Sequence, residues 1–233
     1  MIEVVPAKNR YKVKRDWIES NLSFSFRNYT IPNSECFGSL CAFNDDIIRA
    51  GEGFEMHPHN NLEIVTYVID GVLGYQDSLG NNGIVEAGGV QRISAGTGIE
   101  HLEYNYSDDE DVHFLQLWFE PEVEDLEPSW EQNEFAKEDQ LNRLLPVISG
   151  HDKEGTVKIN QDIDLYLATF EAGESITYRH DSKRKLYLFV IKGEVIINND
   201  CNLSKGDSLR IREEFELNIG TEVGAELMLI DLV

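Results

Sequence analysis

Long apolar runs are missing from this 233-residue sequence. Nothing in it approaches the roughly 18 consecutive apolar residues of a bilayer-crossing helix, so a helical membrane protein is excluded. The opening MIEVVPAKNRYKVKRDW is charged and has no apolar stretch of signal-peptide length, from which a cytoplasmic location is expected. Positive charge is scarce. Twenty Lys and Arg stand against 43 Asp and Glu, a formal net charge of −23. Such a chain is repelled by phosphate backbones and anionic lipid surfaces, so no direct nucleic-acid or membrane binding is expected, and protein partners are favoured instead. The basic runs at Lys8 to Arg15 and Arg179 to Lys185 are short and read as solvated faces. Cysteine is sparse too: Cys36, Cys41 and Cys201 form neither a CxxC pair nor an even framework, so no zinc ribbon is present and three reduced thiols are expected.

What is present is a β pattern. From Phe37 to about Phe119, short β-branched and aromatic runs alternate with Gly, Asn and Asp, most clearly at Glu63 to Ile69, Gly89 to Ile93 and Val112 to Phe119. Asp70-Gly71 reads as a hairpin turn and Leu79 to Gly83 as a second, a density that implies a sandwich or barrel. From Glu100 to Asp139 there are 15 acidic residues against one Lys, with Pro121 and Pro128 inside, and this stretch ends in an expected linker. In KEDQLNRLLP, Leu141, Leu144 and Leu145 stand at helical spacing before Pro146, which predicts one short helix. A second β-rich unit follows. It echoes the first: Gly53, then Gly71 in YVIDGVL, then AGGV at 87–90, against Gly173, Gly193 in FVIKGEV and KGDS at 205–208. The expected division is residues 1–120, a linker with the short helix at 121–154, and 155–233.

The chemistry concentrates in GEGFEMHPHNNLEIVTYVIDG at 51–71 and SAGTGIEHLEYN at 94–105. Residues i and i+2 of a strand share a face, so His57 and His59 point the same way, roughly 7 Å apart along the backbone. His101 and Glu103 repeat the device. Two such strands facing each other across a barrel would aim three imidazoles and a carboxylate at one point. That donor set suits one divalent transition metal (Fe, Mn, Co, Ni, Cu or Zn) and leaves coordination positions open for a substrate oxygen and dioxygen. Glu63 competes with Glu103 at this point, because counting 57, 59, 61, 63 puts it on the same face as the two histidines. His113, at the start of VHFLQLWF, lies close enough in sequence pattern to approach the pocket, whereas His151 and His180 stand in loop-like surroundings and read as surface residues.

Over essentially its whole length the chain resembles pirin and the bacterial pirin-like bicupins, some of which act as quercetin 2,3-dioxygenases. The resemblance is carried by FSFRNY at 24–29, FGSL at 37–40, FNDD at 43–46, GFEMHPH at 53–59, EIVTYVIDG at 63–71, DSLGN at 77–81, AGTGIEH at 95–101 and LQLW at 115–118. It implies an all-β bicupin, two tandem jelly-roll barrels joined by the short helix. It also implies metal ligands at His57, His59, His101 and Glu103, and so decides against Glu63. The family's activity is oxidative opening of the flavonol C ring with loss of carbon monoxide. The implied substrates are thus a flavonol-like aromatic and dioxygen, with Glu103 taking the hydroxyl proton. The alternative that the resemblance carries is a non-enzymatic, metal- and redox-sensing regulator that binds protein partners. In the second barrel, counting from the glycine places Thr177 and Arg179 where the first has histidines. That barrel is therefore expected to be metal-free and filled by side chains such as Phe170, Tyr187, Phe189 and Leu227.

Overall fold

The computed structural model describes residues 1–25 and 36–233, so Phe26 to Tyr29 of FSFRNY lie outside the described residues. Apart from two 3-10 turns, Ala7–Asn9 and Lys137–Gln140, the regular structure there is all β. No helix among the described residues is long and apolar enough to cross a membrane.

The chain forms two compact units. The first comprises Arg10–Phe135 with Val157–Gln161. Its larger sheet runs in the order Ser129–Glu134, Gly89–Ser94, Glu63–Asp70, Val112–Phe119, Leu40–Ile48, Ile18–Leu22, Tyr11–Lys14; the smaller runs Gly53–His59, Ile99–Asn105, Val72–Asp77, Asn82–Glu86. The three strands read most clearly from the sequence are all there. Ile18, Ile48, Val68 and Phe114 of the larger sheet meet Leu73 and Val85 of the smaller, and Ile64 and Ile93 meet Tyr75 and Ile99. This is the double-sheet jelly roll, and each such fully buried side chain contributes about 1.5–3 kcal/mol. The Asp70-Gly71 turn forms with Gly71 at φ +80°, a conformation that costs glycine nothing.

The second unit comprises Met1–Asn9, Ala136–Thr156 and Asp162–Val233. Its main sheet runs Ile2–Val5, Ser208–Ile211, Lys185–Ile197, Ala225–Leu232, Ile163–Phe170, Leu145–Ser149. The long Lys185–Ile197 strand also pairs with Cys201–Ser204 and Glu216–Gly220, and the latter pairs with Ser175–Arg179. Phe170 and Leu227 join its apolar core as expected. Tyr187 and Phe189 are buried but alternate with the core residues Leu186, Leu188 and Val190, so they face the other side of their strand.

The unit boundaries differ from those expected. Ile2–Val5 pairs antiparallel with Ser208–Ile211, Ile2 opposite Ile211, a partnership some 200 residues away that no local pattern signals. Ser129–Glu134, inside the expected linker, is an edge strand on Gly89–Ser94. Edge strands tolerate charge on their open side, which is why an acidic composition imitated a linker. The predicted helix shrinks to Lys137–Gln140, because Asn142 takes φ +53° and Leu145 already begins a strand that carries Pro146.

The expectation of three reduced thiols is also corrected. Phe37 and Leu40 exchange backbone hydrogen bonds, N–H to O at 2.8 and 3.2 Å, and this tight reversal brings the Cα atoms of Cys36 and Cys41 within 4.3 Å as a disulfide. Cys201 is free. Spacing rules for cysteine motifs do not register pairs made adjacent by a hairpin.

Candidate metal centre

Two neighbouring strands of the smaller sheet build the site. Gly53–His59 and Ile99–Asn105 pair antiparallel with His101 directly opposite His57. The histidines therefore converge side by side on one sheet, not across the barrel as first expected. Between His57 and Phe54 the register slips by one residue against His101 and Glu103, a bulge on the first strand. That bulge has a use. Nδ1 of His57 lies 2.8 Å from the Glu55 carbonyl oxygen, which can only accept, so Nδ1 carries the proton and Nε2 is left with its lone pair. Close backbone approach at the same place explains Gly53: a Cβ there would stand 2.5 Å from Tyr104 Cβ and 2.6 Å from the Glu103 carbonyl oxygen. Gly53→Ala is expected to cost about 1–3 kcal/mol by overpacking, seen as a melting temperature lowered by roughly 3–10 °C. An unchanged melting curve would show that the strands separate freely there.

Ligand-capable atoms of His57, His59 and His101 all lie within 4.8 Å of one another. Nε2 of His57 and Nε2 of His101 are 3.1 Å apart. Two nitrogens each about 2.1 Å from one ion and at right angles would be about 3.0 Å apart, so the pair has the spacing of adjacent ligands. His101 is buried, with Nδ1 unpartnered. Burial, and then the like charge of His57, push it down to about 3, so it stays neutral and competent to bind a cation. The ring of His59 stands edge-on to Trp118, centroids 4.9 Å apart, and Tyr75 supports His101 at 5.8 Å. Three convergent imidazoles fit a divalent transition metal.

Glu103 borders this cluster without belonging to the 4.8 Å set. It is 1% exposed. One oxygen accepts from Gln116 Nε2 at 2.6 Å and the other faces Thr66 Oγ1 at 3.5 Å. The Trp118 indole N–H donates to Gln116 Oε1 at 3.1 Å, which fixes the amide with its NH₂ toward Glu103. Burial raises the Glu103 pKa, and the hydrogen bonds from Gln116 and Thr66 oppose that only in part. Gln116, Trp118 and Thr66 were not among the expected site residues. The signal was there in LQLW, where Gln116 and Trp118 share a face of their strand.

Glu63 is elsewhere. After His59 the chain turns at Asn61, φ +45°, and enters the larger sheet, where Glu63 pairs with Ser94 and accepts from its hydroxyl at 2.9 Å and from Asn160. Counting by twos fails once the chain changes sheet. His113 points away from the pocket, because Val112, Phe114 and Gln116 alternate inward; its Nε2 lies 2.6 Å from Asp45 Oδ1. His151 is exposed and paired with Asp162, while His180 is half-buried and stacked on Tyr178 with centroids 5.8 Å apart. Thr177 and Arg179 are exposed; Ile176 and Tyr178 are the residues that pack on the core of that unit, so the count from the glycine was one residue out of phase.

Beside His57 and Glu103 opens a cavity of about 130 Å³, walled by Trp17, Ile18, Leu22, Phe54 and Trp118, with Arg15, Ser20, Asn44, Asp46 and Gln116 among its polar surface. Two jelly-roll units, one of them carrying three convergent imidazoles beside a largely apolar cavity, define a bicupin with a metal centre in its N-terminal half. The sequence matches Pirin over residues 5–119 and the Quercetinase C-terminal cupin domain over 146–232. It is 38% identical to the Escherichia coli K12 protein named Quercetin 2,3-dioxygenase, over 100% of this chain and 99% of that one, and 37% identical to a Pirin-like protein of Caulobacter vibrioides over 99% of each. The chain belongs to the pirin family. Among solved structures it is similar to YhhW from Escherichia coli, TM-score 0.96, 38% identity, covering 100% of this chain and 98% of that one. The same bacterial pirin in complex with nickel(II) matches with TM-score 0.94 at 38% identity, over 100% and 99% of the two chains.

Proposed function

We propose that the chain is a metal-dependent dioxygenase that opens the central ring of a flavonol, inserting both atoms of dioxygen and releasing carbon monoxide. The observation that carries this reading is the 3.1 Å approach of the His57 and His101 Nε2 atoms, with His59 beside them, at the edge of a cavity that Glu103 also borders. In it, His57, His59, His101 and Glu103 hold one divalent metal, and Glu103 is also the proton acceptor. A bound ion would supply charge stabilisation for a substrate oxygen and redox contact with dioxygen.

The residues account for the other requirements. Trp17, Phe54 and Trp118 offer flat apolar surface to an aromatic ligand. The cavity is smaller than the roughly 300 Å³ of a typical small-molecule site, so it accommodates one end of a flavonol. The flavonol 3-hydroxyl must lose its proton before the ring can react. Glu103, raised by burial and held in place by Gln116, is the carboxyl placed to take it. The names of the relatives and the nickel(II) complex support the reading.

Metal content of the purified protein, followed by oxygen uptake with and without quercetin, tests it. Uptake that depends on both metal and flavonol, with carbon monoxide formed, is expected. If protein loaded in turn with Fe, Mn, Co, Ni or Cu consumes no oxygen with any flavonol, the reading fails and a metal-sensing regulator takes its place.

A further inference from the structure

The mechanism leaves one carboxyl of the cavity unused. Asp46 lies on Leu40–Ile48, opposite Ser20 on one side and Phe114 on the other, and its face is set by the same alternation that turns Asn44 and Ile48 inward. It lines the same cavity as His57, Glu103 and Gln116. Only 3% of the residue is exposed, and Oδ1 is buried with no hydrogen-bond partner. The Ser20 hydroxyl donates to the carboxyl, but no cation does. Its neighbour Asp45 pairs with Arg10 at 2.9 Å and His113 at 2.6 Å on the opposite face of the strand, and the cavity's own cation, Arg15, lines the wall without donating to Asp46. A carboxyl buried without a cation or a full set of donors is costly unless a ligand completes it. Burial, reinforced by the nearby negative charges of Asp45 and Glu103, pushes Asp46 up to about 7.

We propose that Asp46 is the specificity residue of the cavity, hydrogen-bonding a second hydroxyl of a polyhydroxylated aromatic ligand. This rests on the flavonol reading of the site above. The placement suits the role: Asp46 is two residues, about 7 Å, along its strand from Asn44, the partner of Gln116, which holds Glu103. A ligand with its 3-hydroxyl at Glu103 thus brings a neighbouring polar edge to Asp46. Rotation about χ2, which is broad for aspartate, presents either oxygen.

Binding measured without turnover tests this, by quenching of tryptophan fluorescence under argon with nickel(II)-loaded protein. The probes are quercetin and 3-hydroxyflavone, which lacks the further hydroxyls. Wild-type protein is expected to prefer quercetin to 3-hydroxyflavone by about tenfold or more, the usual consequence of leaving a buried polar group unpaired. Asp46→Ala should abolish the preference for quercetin. Asp46→Asn, which keeps an acceptor at that position, should retain that preference. Equal preference ratios in wild type and Asp46→Ala overturn the proposal, as does failure of the wild type to bind any flavonol. Loss of the ratio in Asp46→Ala without oxygen uptake by wild type would support Asp46 while sinking the dioxygenase reading; uptake with an unchanged ratio would do the reverse.

Discussion

Replacing His101 by Ala is expected to weaken metal binding by at least about 100-fold while the protein stays folded. Loss of a group that merely hydrogen-bonds a ligand typically costs 10- to 100-fold, and loss of a ligand itself costs more. Folding should survive, because the buried ring makes no hydrogen bond through Nδ1 and its Nε2 faces another imidazole nitrogen at 3.1 Å. Two imidazole nitrogens at that distance give the fold little beyond one shared proton, and their spacing is that of adjacent ligands on one ion. Calorimetric titration with nickel(II), alongside a thermal melt, reads both parts of the expectation. His113→Ala is the control: it removes a histidine bonded to Asp45 and should leave the metal affinity unchanged. A His101→Ala protein that binds nickel(II) as tightly as wild type would displace the centre from these residues.

The imidazole cluster was legible in the sequence because each half depends only on the two-residue period of a strand. His57 and His59 share a face, and so do His101 and Glu103, whatever the rest of the fold does. How the halves meet was not legible. That depends on the register that sets His101 opposite His57 and on a bulge whose only sequence trace is Gly53. Asp46 and Gln116 were hidden for a similar reason. Each is an ordinary polar residue in a strand until the pairing of Leu40–Ile48 with Val112–Phe119 turns it toward the cavity. The count by twos that brought Glu63 onto the histidine face failed because the turn at Asn61 carries it into the other sheet. The disulfide and the Ile2–Val5 pairing were invisible because both are consequences of chain reversal, one over five residues and the other over the whole length.

Glu103→Gln is expected to keep much of the metal and lose most of the turnover. The substitution preserves size and one oxygen, and that oxygen can still accept from Gln116 Nε2, whose orientation Trp118 holds through Gln116 Oε1. The new amide NH₂ then takes the place of the oxygen beside Thr66, whose hydroxyl can turn to accept. Packing is therefore conserved, and what disappears is basicity. In the wild type, burial makes the carboxylate more basic than an exposed glutamate and so better matched to a hydroxyl proton, while the two hydrogen bonds keep it from wandering. Flavonol cleavage should fall by roughly 10²- to 10⁴-fold, the range typical for loss of a general base. The fall should appear in kcat, with flavonol affinity under argon changed far less. Oxygen uptake per bound metal ion is the measurement, because it separates lost chemistry from lost metal. If the variant turns over at the wild-type rate per metal, Glu103 is at most a ligand and the proton leaves by another route, for which Asp46, in the same cavity, is the next group to replace.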